Sequence, residues 1–184
     1  MGSVYSRVCG PPRKRLNVLM SGLSASGKTS IQCRLRFGIF PTEICSYVSA
    51  FFCTISEDIE INSSSLSIFL HDLGASAKMR EQHVRWWRDV AALIYVVDCS
   101  DEDRLEEARI ELHEHLSDAN MKDKNLLVII SKRDLPNALS DEMLVDRLNL
   151  NVIKGREWKI QSTSAKTGEG ISEVAAWLEQ LGDS

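Results

Sequence analysis

The sequence predicts an α/β fold on a mainly parallel β-sheet, and three observations carry that prediction. Short apolar runs at 16–20, 92–97 and 126–130 alternate with stretches whose apolar residues recur at helical spacing. Runs of this kind suit strands buried on both faces, and their alternation with helices calls for parallel crossover connections. Second, Gly22-Leu23-Ser24-Ala25-Ser26-Gly27-Lys28-Thr29 satisfies G-x-x-x-x-G-K-[ST] between the first run and the helix-forming segment 31–36, the strand–turn–helix setting of a phosphate-binding loop. Third, this loop, Asp72 and the segments after Ile130 and Thr163 all fall at the carboxyl ends of predicted strands, where open α/β sheets hold their ligands.

Taken in order, residues 16–20 form the first strand and the glycine loop follows. The N–H groups of the loop and of the first helical turn (Ser24, Ala25, Ser26, Gly27, Ser30) surround a polyphosphate, aided by the helix dipole. Lys28 adds a point charge between the outer phosphates and Thr29 an oxygen ligand for Mg²⁺. Gly38 to Pro41 ends the helix, and 51–61 and 65–73 read as two strands joined by a polar hairpin turn. Leu66, Ile68 and Leu70 alternate toward one face, and Asp72 closes the strand where a carboxylate holds Mg²⁺, often through water. Residues 78–89 suggest a polar helix in which the adjacent Trp86 and Trp87 cannot share a face. After the strand at 92–97, a helix is expected over 101–119, capped by Ser100 with Asp103 and burying Leu105, Ala108, Leu112 and Leu116. A strand at 126–130, a short helix over 141–148 capped by Ser140, a strand at 158–163 and a last helix burying Ile171, Val174, Leu178 and Leu181 complete the chain. There are no internal repeats.

With 184 residues, 43% of them apolar and 26% charged, the chain suits one soluble domain. A net charge of -4 argues against a generic nucleic-acid binder, and no apolar run approaches the ~18–20 residues needed to span a bilayer. Cys9, Cys33, Cys45, Cys53 and Cys99 lie far apart, without a C-x-x-C pair, which favours reduced thiols in a cytoplasmic setting. His113 and His115 read as solvated. Residues 1–15 form a separate leader and 16–184 the domain. The leader begins Met1-Gly2-Ser3-Val4-Tyr5-Ser6, which makes Gly2 a candidate for N-myristoylation. One acyl chain gives only marginal membrane binding, so Cys9 as a palmitoyl site, or the basic Arg7, Arg13, Lys14 and Arg15, would supply the second signal. A solvated leader is the alternative.

The order of these motifs resembles the Arf and Arf-like branch of the small GTP-binding proteins over nearly the whole chain. The loop at 22–29 is similar to the family's GLDAAGKT, and Ile94-Tyr95-Val96-Val97-Asp98-Cys99-Ser100-Asp101 to its IFVVDSND. Arg104, Glu107, Ala108, Glu111 and Leu112 continue the match, as do Asp134-Leu135-Pro136-Asn137-Ala138, Trp158-Lys159-Ile160-Gln161 and Gly168-Glu169-Gly170. The resemblance implies the three-layer small-GTPase fold, with a mostly parallel six-stranded sheet flanked by helices. It also implies GTP or GDP with Mg²⁺ as ligands, and effector, exchange-factor and activating proteins as partners. A monomer on a membrane surface, held there through an acylated Gly2, is the expected form.

The same resemblance assigns the base site, and here the chain departs from the pattern. The family reads guanine with N-K-x-D, and this chain has Ser131-Lys132-Arg133-Asp134. Asp134 keeps the acceptor pair for N1–H and the exocyclic amine, and the stem of Lys132 packs on the base. The asparagine that contacts the purine and braces the phosphate loop is replaced by the shorter Ser131, a change expected to weaken binding while preserving guanine preference. Ser164-Ala165-Lys166 matches S-A-K, with the Ala165 N–H toward the guanine carbonyl. Where the family has W-D-x-G-G-Q, this chain has His71-Asp72-Leu73-Gly74-Ala75-Ser76. Ala75 replaces the glycine whose N–H senses the γ-phosphate, and Ser76 replaces the glutamine that orients the attacking water, so intrinsic hydrolysis should be very slow. Thr54 is the tentative switch threonine for Mg²⁺, with Thr42 competing. Two readings follow: a slow GTP/GDP switch, or a pseudo-GTPase scaffold stabilised by nucleotide. An ATP-using P-loop kinase is a distant third.

Overall fold

The computed structural model describes residues 14–38, 40, 58–62, 66–72 and 90–183. Strand β1 (Lys14–Ser21) leads through the glycine loop into helix α1 (Lys28–Phe37). Gly38 stops the helix in the left-handed conformation (φ 70°), its N–H returning to the carbonyl of Arg34. Strands β2 (Asp58–Asn62) and β3 (Leu66–Asp72) form the predicted antiparallel pair. Strand β4 (Val90–Asp98) is followed by a 3₁₀ turn at Glu102–Arg104 and helix α2 (Leu105–Ser117). Then come β5 (Asn125–Ser131), α3 (Asp141–Arg147), β6 (Trp158–Ser162) and α4 (Ile171–Asp183).

These strands make one six-stranded sheet in the order β2-β3-β1-β4-β5-β6. All neighbours are parallel except β2 with β3. The chain leaves β1 toward β3 on one side and β4 on the other, so the strand order reverses at the carboxyl end of β1. That is where the glycine loop sits, and where a crevice opens in folds of this type.

Alternation along the central strands produces three layers. In β4, Leu93, Tyr95 and Val97 join Leu19, Leu105, Ala108, Leu112 and Leu144 in a core beneath α2 and α3. Ala92, Ile94 and Val96 point the other way and pack with Ile31, Ile171, Val174 and Leu178 from α1 and α4. The predicted stripes of α2 and α4 are therefore buried as read, with Leu116 and Leu181 at their margins. Ser140 caps α3 by accepting from the Met143 N–H at 3.3 Å.

Two expectations are corrected. Ser100 does not cap a helix over 101–119. Its hydroxyl donates to Asp98 Oδ1 at 2.6 Å, and its N–H donates to the same oxygen at 2.9 Å. The helix begins later, at Leu105, after the 3₁₀ turn, so its free N–H groups lie beyond the reach of Ser100. Nor is His115 solvated. His115 is buried, with Nε2 2.8 Å from the Ser21 hydroxyl and 3.5 Å from Glu111 Oε1. Ser21 follows Leu19 on the face of β1 that looks at α2, and Glu111 and His115 lie four apart on the facing side of that helix. Half-buried His113 meets the carbonyl of Leu148 at 2.9 Å.

Candidate functional site

The glycine loop is shaped by what grips its carbonyls. Lys28, buried at the start of α1, donates from Nζ to the carbonyl oxygens of Gly22 (2.8 Å) and Leu23 (3.0 Å). Arg104 donates from Nη1 to the Ser24 carbonyl at 3.0 Å and is itself paired with Asp101. The Ser131 hydroxyl, at the end of β5, donates to the Ser26 carbonyl at 2.5 Å. A trans peptide holds C=O and the following N–H on opposite sides. Gripping the oxygens of Ser24 and Ser26 therefore turns the N–H groups of Ala25 and Gly27 to the other side of the loop. These join the N–H groups of the first turn of α1, which have no intrahelical acceptor, to make an anion-binding cup at a helix N-terminus. Gly22 (φ 139°) and Gly27 (φ 100°) take backbone angles that L side chains rarely adopt, and Ala25 holds a left-handed conformation at φ 63°.

Beside this cup lies a cleft of about 250 Å³ lined by Gly27, Ser30, Ile31 and Phe40 on one side and Ser131, Lys132, Asp134, Leu135, Ala165 and Lys166 on the other. Two strand ends build its far wall. After β5, Lys132 turns the chain in a left-handed conformation (φ 61°), and the Arg133 N–H bonds to the carbonyl of Thr163 at 3.1 Å. After β6, the Ser164 hydroxyl accepts from the Thr167 N–H at 3.1 Å and donates to Asp134 Oδ1 at 2.6 Å. One hydroxyl proton serves one acceptor, and the carboxylate is fixed at the cleft by it. Lys166 Nζ stands 4.0 Å from Asp134 Oδ2.

Asp98, not singled out from sequence as a site residue, fixes the other side chain of this wall. Its Oδ2 accepts from Lys132 Nζ at 2.5 Å, and its Oδ1 takes both bonds from Ser100. Burial alone would raise the Asp98 carboxyl, but the bonds from Lys132 and Ser100 outweigh it and hold the group below the ordinary carboxylate value. The pairing pins the Lys132 stem along the cleft. A folded-state value below the unfolded one, about 3.9, gives stability that is present in full above that value and lost as pH falls through the folded one. Asp98→Asn should therefore lower stability by roughly 1–3 kcal/mol at pH 7. Urea titrations of parent and variant should show that difference shrinking below about pH 4. A difference independent of pH would contradict the pairing.

A family model, the ADP-ribosylation factor family, matches residues 1–181. The chain belongs to that family. It is an Arf-like small GTP-binding protein, and the P-loop read from sequence is the loop just described. Within this Arf-family chain, Gly22, Ser24, Ala25, Ser26, Gly27, Lys28, Thr29 and Ser30 lie together at the mouth of β1, and Ser131, Lys132, Asp134, Ala165 and Lys166 converge on the adjoining cleft. Ser164 acts from behind, through Asp134. Asp72 ends β3 and pairs in register with Met20, just before the loop. The expectations for Gly2, Cys9, Thr42, Thr54, Ala75, Ser76 and the helix over 78–89 lie outside the described residues.

The donor set suits Mg²⁺. The ion takes few protein oxygens and completes its shell with phosphates and water. Thr29 lies in the first turn of α1, and Asp72 closes the strand next to β1. Among the described residues, no group of three or more His, Cys, Asp or Glu gathers into an all-protein metal centre. Cys33 and Cys99 are buried free thiols, both pushed up by burial. Among the same residues, no helix is long and apolar enough to cross a membrane.

Proposed function

We propose that the chain is a Mg²⁺-dependent guanine-nucleotide switch with very slow intrinsic hydrolysis, anchored peripherally to membranes by an acylated Gly2. The observation that carries the guanine reading is the Asp134 carboxylate, oriented by Ser164 and facing the cleft that adjoins the P-loop. A fixed carboxylate accepts two hydrogen bonds, which matches the N1–H and exocyclic amine of guanine and mismatches adenine. The P-loop N–H groups and Lys28 bind the phosphates, and Thr29 and Asp72, with Thr54 as the third, hold Mg²⁺. That ion neutralises phosphate charge when bound. Ala75 and Ser76 are the catalytic positions, and Ser76 is too short to orient an attacking water as glutamine does. The expected setting is cytoplasmic and monomeric, with effector, exchange and activating proteins reading the nucleotide state and no role for nucleic acid.

The test is to identify the nucleotide that purifies with the protein and to follow single-turnover GTP hydrolysis. Ser76→Gln should raise the rate by about tenfold or more; a wild-type rate already equal to that of the variant would refute the assignment. Absence of bound nucleotide, with no thermal stabilisation by GTP or GDP with Mg²⁺, would defeat the guanine reading. The second reading, a pseudo-GTPase scaffold, is favoured by Ala75, Ser76 and Ser131 together. It predicts tight nucleotide binding with neither turnover nor a partner that distinguishes GTP from GDP.

A further inference from the structure

Ser131 occupies a junction between the base cleft and the phosphate loop, and its hydrogen bonding is already committed. The residue is buried at 2% exposure. Its hydroxyl lies 2.5 Å from the carbonyl oxygen of Ser26 and 3.1 Å from that of Val97. Both neighbours are acceptors that cannot donate, and a serine hydroxyl carries a single proton. That proton is therefore held behind the cleft, and what Oγ presents to the cleft is lone-pair density. Of the two amines along this wall, Lys132 Nζ is held by Asp98 and Lys166 Nζ stands toward Asp134, 4.0 Å from its Oδ2.

A guanine whose Watson–Crick edge meets Asp134 and whose O6 meets Ala165 presents the next polar atom round its edge, N7, to the Ser131 end of the cleft. N7 is an acceptor. An acceptor facing a hydroxyl without a free proton gains nothing and is mildly repelled. We propose that this site recognises guanine without using N7, so that Ser131 positions the phosphate loop and leaves the imidazole edge of the purine unread. The inference rests on the guanine reading above and deepens it: the site accepts nucleotides altered at position 7, provided N1–H, the exocyclic amine and O6 are intact. Two functions a larger amide could combine, loop brace and base contact, are reduced here to the brace alone.

The measurement is the dissociation constant of the full chain for GTP, 7-deaza-GTP and ATP, each with Mg²⁺, by competition against a fluorescent GDP. In 7-deaza-GTP a C–H replaces N7 and nothing else changes. The expected result is equal affinity for GTP and 7-deaza-GTP within about twofold, both well ahead of ATP. Ser131→Ala should weaken GTP and 7-deaza-GTP by the same factor, because only the brace is lost. Ser131→Asn, which restores a spare donor, should open a gap of about tenfold in favour of GTP. Preference for GTP over ATP combined with a loss of about fivefold or more for 7-deaza-GTP on the wild-type chain would overturn the inference alone. ATP binding as tightly as GTP, or no GTP binding, would overturn the guanine reading and this inference with it. The wild-type comparison decides the matter even if a variant fails to fold.

Discussion

Gly22→Ala is expected to destabilise the fold by roughly 3 kcal/mol or more and to abolish nucleotide binding. A Cβ built at Gly22 would lie 2.2 Å from the carbonyl oxygen of Val96 and 3.1 Å from its carbonyl carbon. Both atoms belong to the backbone of the central strand β4, whose interior neighbours are buried on both faces, so the strand cannot retreat. The backbone angle adds its own penalty, since φ is 139° at this position. Relief would come only by lifting the loop from β4, which would pull the Gly22 carbonyl away from Lys28 and open the phosphate cup. Chemical denaturation of parent and variant, with nucleotide titration of each, checks both parts. An alanine variant with unchanged midpoint and affinity would show that the loop does not pass this close to β4.

Asp134→Asn should lower affinity for GTP by about 100-fold or more while leaving the fold intact. Two hydrogen bonds from guanine to a carboxylate contribute about 1.5–3 kcal/mol each, and an amide can accept only through one oxygen while its NH₂ faces a donor. The amide oxygen can still accept from Ser164, so the support of the cleft is preserved. The same amide should improve binding of xanthosine triphosphate, whose carbonyl at the 2-position accepts what the guanine amine would donate. Competition binding with both nucleotides reads the exchange of preference directly. Equal loss for both bases would mean that Asp134 supports the cleft without reading the base.

Much of this site was legible because its signals are local. The loop at 22–29 is recognisable from eight consecutive residues, and the strands around it from unbroken apolar runs that only a doubly covered sheet explains. Gly38 and Ser140 acted as read, because each serves a helix end within a few residues of itself. Local rules failed elsewhere. Ser100 has the right type for a cap, yet the chain first makes a 3₁₀ turn and the helix starts only at Leu105, while the Ser100 hydroxyl and N–H both go to Asp98. His115 sits in a polar stretch of α2, and nothing near it shows that Ser21, on β1, waits across the core. The shorter Ser131 was expected to weaken nucleotide binding, and which of the asparagine's contacts it would retain was not legible. It keeps the brace, because the Ser26 carbonyl comes close enough for a short side chain to reach. Asp98 did carry a usable signal: a lone charge closing an otherwise apolar strand is costly unless something pairs with it.

The grip on the P-loop carbonyls has an energetic consequence. Lys28, Arg104 and Ser131 belong to the helix that follows the loop, to the turn before α2 and to the end of β5. Each hands its hydrogen bond to a backbone oxygen of the loop, so the conformational entropy of that segment is surrendered when the domain folds. A phosphate arriving at such a loop meets a receptor of settled shape, and little of its interaction energy is diverted into ordering the protein. Pre-organisation of this kind makes the loop a fixed seat for phosphate.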